Sequence, residues 1–200
     1  MIIVNKYLSL KNISRIGILG ALGAILMMFD FPILFIAPSF YKLDLGDLPC
    51  LIGSFAMGPI PGLFIQIVKI IIKLLIKPTS TAFVGEIAAF IMSSTYCISA
   101  GYIYSLSKTK KNALKSLIIS SISLVIISSF INYVLIIPAY VSLYNISLET
   151  IISMGNKIIP IVKDKFSFVL CCVAPFNLIK AIILDILALG LYKHISPLLK

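Results

Sequence analysis

Long apolar runs separated by short polar segments dominate the chain. The first run, read as a helix over residues 13–31, reaches ~28 Å at 1.5 Å per residue, enough for the hydrocarbon core of a bilayer. A polar, proline-containing and aromatic loop over residues 37–48 follows. The second apolar segment, residues 50–58, is too short to cross without borrowing its flanks, and Gly58-Pro59-Ile60-Pro61-Gly62 reads as a tight turn. A third segment covers residues 63–76 and a fourth 82–106, with a polar link at 78–81. A basic loop over 107–115 precedes a fifth span at 117–137, which the pattern ends at Pro138. A long connection over 139–165, with an amphipathic piece at 148–159, leads to a sixth span at 166–192. The pattern predicts an all-α bundle with six transmembrane helices, one domain over residues 1–200, and no internal repeat.

Composition fixes the class. Of the 200 residues, 60% are hydrophobic and only 12% are charged, whereas soluble domains carry about 25% charged residues. The chain lacks the polar surface of a soluble enzyme, and the same numbers exclude disorder. The net charge is +10, but the lysines are scattered. One cluster at Lys108, Lys110, Lys111 and Lys115 lacks the interleaved aromatics of a nucleic-acid groove, so no nucleic-acid partner is expected. The bias of basic residues instead orients the bundle. Lys6, Lys11, Arg15, Lys108, Lys110, Lys111, Lys115, Lys193 and Lys200 flank one side. Lys42, Lys77, Lys157, Lys163 and Lys165 flank the other, diluted by Asp44, Asp47, Glu149 and Asp164. Both termini are therefore expected in the cytoplasm of a multi-pass protein. The first run is long enough to span, so it is not read as a cleaved leader.

Polar groups inside a bilayer are expensive and each needs a partner or a purpose. Lys69, Lys73 and Lys77 recur every four residues and share one helix face, where they snorkel, pair, or line a wet cavity. Glu86, Asn132, Asn177 and Lys180 come from three spans yet fall at a similar depth toward the outer side, the layout of a pocket for a small molecule with a polar edge. Asn177 and Lys180 are three residues apart on one face, just after Pro175. Gly17/Ala21 and Gly20/Ala24 are small-xxx-small pairs that admit a close helix, either within this chain or from a partner. Cys50, Cys97, Cys171 and Cys172 lack metal-ligand spacing, and the single histidine, His194, lies in the polar tail, so no metal site is expected. Neither a nucleophile–base pair nor a nucleotide-binding glycine loop occurs. No catalytic residues are assigned, and active transport would need an energising partner.

Several stretches together resemble one family. They are Lys42-Leu43-Asp44-Leu45-Gly46-Asp47-Leu48-Pro49, the Gly58–Gly62 motif, residues 79–90 from Thr79 through Glu86 to Phe90, Ile131-Asn132-Tyr133 with Pro138-Ala139-Tyr140, and Pro175-Phe176-Asn177-Leu178-Ile179-Lys180. The chain resembles the substrate-binding S components of energy-coupling factor (ECF) vitamin transporters, most closely those for riboflavin. The resemblance implies a six-helix protein of the bacterial cell membrane that binds its vitamin on the outer side. It implies a membrane-embedded coupling subunit and two ATPase subunits as partners, with riboflavin as transported ligand and no cofactor. By resemblance, Asn132, Asn177 and Lys180 meet the flavin ring, with Glu86 in the matching fourth-helix motif. The small-residue face of Gly17, Gly20, Ala21 and Ala24 resembles the surface that docks on the coupling subunit in this family. Ala89 stands where the family often has Asn. For a flat, neutral, largely apolar ring, Phe40, Leu43, Leu45 and Phe90 are candidate sandwiching residues. Asp44, Asp47 and Thr81 are candidates for the ribityl hydroxyls. The alternative is an S component for a different vitamin or cofactor precursor.

Overall fold

The computed structural model describes residues 9–79 and 81–199, with side chains of the last helix described through Leu191. Lys6 and Lys200, and the side chains of Lys193 and His194, used or weighed above, lie outside this description. Ser9 caps helix α1 (Leu10–Met28) by accepting from the Asn12 N–H. The chain then forms a small hairpin, β1 (Phe31–Pro32) against β2 (Lys42–Leu43), antiparallel with Phe31 opposite Leu43. Helix α2 (Asp47–Met57) follows, then α3 (Pro59–Ile76) and α4 (Val84–Leu106). Thr109 caps α5 (Lys110–Ile131), which continues through a five-residue π-turn, Asn132–Ile136, into α6 (Ile137–Tyr144). A surface helix α7 (Leu148–Asn156) comes next. A short α8 (Lys165–Phe168), fixed by an Asp164–Ser167 capping box, enters a second π-turn, Val169–Val173, and then α9 (Ala174–Leu199).

Five of these rods are long and apolar enough to cross a membrane: Leu10–Met28, Pro59–Ile76, Val84–Leu106, Lys110–Tyr144 and Lys165–Leu191. Helix α2 has 11 residues and rises only ~16 Å. It is the hub rather than a wall: its first nine residues, Asp47 through Phe55, are buried among α1, α3, α4 and α9.

The polarity of the rods is inverted relative to a soluble bundle. Helix α5 buries Ser116, Ser120, Ser121 and Ser128 and exposes Ile118, Ile122, Ile126 and Phe130. Helices α1 and α9 likewise expose Ile18, Leu22 and Ile25, and Leu178, Ile182 and Ile186. Small hydroxyl side chains let helices approach closely, and Ser116, Ser120 and Ser128 satisfy themselves by donating to carbonyls one turn back. The branched aliphatics form the lipid-facing band.

Two boundaries differ from the sequence pattern. Pro138 does not end the fifth span. The Ile137 N–H reaches back five residues to the Asn132 carbonyl, and this wider turn accommodates the proline without breaking the rod. The Gly58–Gly62 motif is likewise not a turn throughout. Gly58 alone makes the corner, at φ +101°, and Pro59 starts α3, where its missing N–H is harmless.

Gly62 lies against Ser54 of α2, so that a methyl group there would overlap the Ser54 hydroxyl. Gly62→Ala should therefore cost about 1–3 kcal/mol through overpacking. The expected result is a Tm lower by roughly 3–10 °C in a thiol-reactive dye assay, which suits a chain whose Cys50, Cys97 and Cys172 are buried and free. Gly17→Ala, with nothing within 4 Å of the new Cβ, should not lower it.

Candidate functional site

A cavity of about 420 Å³ opens at the hairpin end of the bundle, within the range of small-molecule sites. The connection between the hairpin strands supplies Phe40 and Tyr41, strand β2 supplies Lys42, and the link from β2 to α2 supplies Asp44. Helix α4 and its approach supply Thr81, Glu86, Ala89 and Met92. The α5–α6 rod supplies Asn132, Ile136 and Tyr140, and α9 supplies Phe176, Asn177 and Lys180. The aromatic side is continuous. Phe40 lies 4.8 Å from Tyr41 and 5.6 Å from Tyr140, and Tyr41 lies 5.7 Å from Phe176, centroid to centroid.

The charged side is paired. The Lys180 Nζ lies 2.9 Å from an Asp44 oxygen and 3.1 Å from an Asp47 oxygen. Asp47 also accepts from Lys69 and, at 3.1 Å, from the Gln66 amide. Asp44 is held in turn by the Gly46 N–H at 2.8 Å. Carboxylates and ammonium groups thus alternate from α3 through α2 and α9 to the hairpin segment. A second set closes the α3–α4 corner. Lys73 donates to Glu86 at 2.6 Å, and the Thr79 and Thr81 hydroxyls donate to its other oxygen at 2.9 and 2.8 Å. Thr79 also accepts from the N–H groups of Thr81 and Phe83. These bonds hold the link where Ala82 and Phe83 adopt positive φ.

Of the residues singled out in the sequence, Phe40, Asp44, Thr81, Glu86, Asn132, Asn177 and Lys180 line this one cavity. Four others do not. Leu43 is buried in the hydrophobic cluster beneath the hairpin, and Leu45 packs between the two main clusters. Asp47 stands behind the wall and reaches the cavity only through Lys180. Phe90 faces a separate shallow groove on α4 with Ile91 and Ser94. The reason is helical and strand alternation: neighbours of a lining residue point elsewhere. The lysine face also resolves, with Lys69 paired to Asp47 and Lys73 to Glu86. On α1 the small residues divide. Gly20 and Ala24 are buried in the bundle, Gly20 against Val68, while Gly17 and Ala21 keep exposed surface.

The sequence reading missed Tyr41, Tyr140 and Phe176. Their signal was present as aromatics adjacent to, or near, the polar positions already chosen. Tyr41 donates to Asn132 Oδ1 at 2.6 Å, and burial holds its phenol above the usual range, so it stays a donor. Among the described residues no cluster of three or more His, Cys, Asp or Glu could hold a metal.

A bundle of this kind, closed around a hub helix and open at one end beside a hairpin, has known counterparts. The family model described as "ECF transporter, substrate-specific component" matches residues 11–192. The chain belongs to this family. Among its relatives, riboflavin transporter RibU of Staphylococcus aureus (strain TCH60) is 29% identical over 190 residues, covering 95% of this chain and 93% of that protein. Riboflavin transporter FmnP of Bacillus subtilis (strain 168) is 23% identical over 197 residues, covering 95% and 94%. The solved structure described as "Structure and mechanism of the S component of a bacterial ECF transporter" superposes with a TM-score of 0.71 at 28% identity. It covers 94% of this chain and 96% of that one. This S component thus shares its all-helical membrane architecture with an experimentally determined one.

The paired charges make a stability prediction. Removing one member of a buried ion pair costs about 3–5 kcal/mol because the other is left buried, while exposed pairs contribute ~0–1 kcal/mol. Lys69→Met should lower Tm by roughly 6–15 °C. Lys42→Met, which breaks the exposed pair with Asp30, should shift it by less than about 4 °C in the same assay.

Proposed function

We propose that this S component is the riboflavin-binding membrane subunit of a vitamin uptake transporter. The observation that carries the reading is the pairing inside one aromatic-walled cavity of two amides, Asn132 and Asn177, from separate helices. Riboflavin presents a flat apolar ring with one edge that alternates carbonyl acceptors and an N–H donor. Amides match such an edge because each offers both functions. The ligand is neutral, and of the cavity's four lysines, Lys42, Lys73, Lys77 and Lys180, all but Lys77 face a carboxylate among the described residues. Relatives that match nearly end to end carry the name riboflavin transporter, which supports this ligand over other vitamins.

Capture occurs on the outer side of the bacterial cell membrane, with both termini cytoplasmic, in accord with the lysine bias of the connections. The chain belongs to a family of transporter substrate-specific components, so we read it as a binding subunit, and a sequence without a nucleotide-binding glycine loop leaves ATP hydrolysis to partners. Two partner ATPase subunits hydrolyse ATP, and a membrane-embedded coupling subunit transmits the work. The half-buried strip at Gly17 and Ala21 is the docking face for that coupling subunit, its small side chains admitting a close helix. Gly20 and Ala24 support the strip from behind.

The test is titration of purified protein with riboflavin, read by quenching of the vitamin's own fluorescence. Saturable binding is expected, weakened about 10-fold or more by Asn177→Ala, since a lost partner leaves buried polar groups unmatched. A protein that leaves riboflavin fluorescence unchanged overturns the assignment. For the docking face, Gly17→Leu with Ala21→Leu should abolish riboflavin uptake by cells while leaving the dissociation constant of the purified protein within about twofold. Loss of binding in that variant would place the strip in the fold instead of an interface.

A further inference from the structure

We propose that Tyr41 is a positioning residue for Asn132, fixing its amide so that it presents a hydrogen-bond donor to the bound ring. This inference rests on the riboflavin reading above and adds the sense of one contact. Asn132 is buried at the start of the π-turn, with 1% exposure. Its Nδ2 donates to the Ser128 carbonyl at 2.8 Å. A carbonyl only accepts, so the amide nitrogen must lie on that side. The oxygen is then turned toward Tyr41, whose hydroxyl donates to it at 2.6 Å. One N–H of Asn132 is spent on its own helix, and its oxygen already accepts from the phenol through one of its two lone pairs. The second N–H is left for the cavity.

Asn177 is set differently. Its Nδ2 donates to the Val173 carbonyl at 2.9 Å, and among the described residues no donor occupies its oxygen. Asn132 therefore offers its second N–H to a ligand carbonyl, while the open oxygen of Asn177 can meet an N–H. Two chemically identical side chains read opposite functions of an alternating edge because only one of them has a tyrosine on its oxygen. A ring with an amino group in place of the carbonyl opposite Asn132 would meet donor with donor, which is a strong basis for rejection.

The experiment is a double-mutant cycle on riboflavin binding by the full chain. Tyr41→Phe keeps the ring that packs against Phe40 and Phe176 and removes only the hydroxyl. The expected result is binding about 3- to 10-fold weaker, the size of one neutral hydrogen bond. In an Asn132→Ala background the same change should alter binding by less than about twofold, because its effect travels through Asn132. Asn132→Ser serves as the second background should Asn132→Ala not fold. Equal losses in both backgrounds overturn the proposal and make Tyr41 a wall or a direct contact. No loss in the parent background overturns it as well. Wild-type protein that binds no riboflavin overturns the functional reading, and this inference with it, whereas binding without coupling overturns this inference alone.

Discussion

Everything at the hairpin end hangs on a buried row of alternating charges, Lys69, Asp47, Lys180 and Asp44. Taking ions out of water costs several kcal/mol each, and the cost is offset only when geometry and hydrogen bonds are complete. Asp47 meets that demand with Lys69, Lys180 and Gln66, and Asp44 with Lys180 and a backbone N–H. The row ties α3, the hub helix, the hairpin segment and α9 into one arrangement, since no member can move without stranding a charge. The floor of the cavity is therefore set by electrostatics, while its walls are set by aromatic packing.

The two helices that bring amides into the cavity share a device. Each carries a five-residue π-turn, Asn132–Ile136 in one and Val169–Val173 in the other, with Pro138 or Pro175 just beyond. Asn132 opens its π-turn, and Asn177 lies four residues past the other. An extra residue in a helical turn shifts the register of everything after it and loosens the carbonyl ladder. Beside these turns the carbonyls of Ser128 and Val173 accept from the asparagine side chains, Ser128 while also accepting the Asn132 backbone N–H. Proline, helix widening and amide orientation are one local solution used twice.

Hydrophobic runs make the rods legible from sequence because a bilayer demands about 20 apolar residues and tolerates few charges. For the same reason Glu86, Asn132, Asn177 and Lys180 stand out as polar groups that need a purpose. Legibility fails where tertiary context decides. Nothing local in Pro138 reveals that a π-turn precedes it, and nothing in Pro59 reveals that Gly58 alone makes the corner. Leu43, Leu45 and Phe90 share motifs with lining residues but point elsewhere, which only the hairpin register and the helix phase determine. The pairing of Asp47 with Lys69, 22 residues apart, depends on the hub helix lying inside the bundle. The split between Gly17 and Gly20 depends on where Val68 arrives.

The continuous rod from Lys110 to Tyr144 has 35 residues and extends ~52 Å, against a hydrocarbon thickness of about 30 Å. Modest tilt absorbs only part of that excess, so one end of the rod stands in the headgroup layer. At the cavity end it carries Tyr140 and Tyr144, stacked 5.3 Å apart, the residue type that anchors at the membrane–water boundary. Tyr140 also lines the cavity, so the rod that crosses the bilayer carries one wall of the cavity on its overhanging end, and a change in the tilt of that rod would be felt directly at the cavity wall.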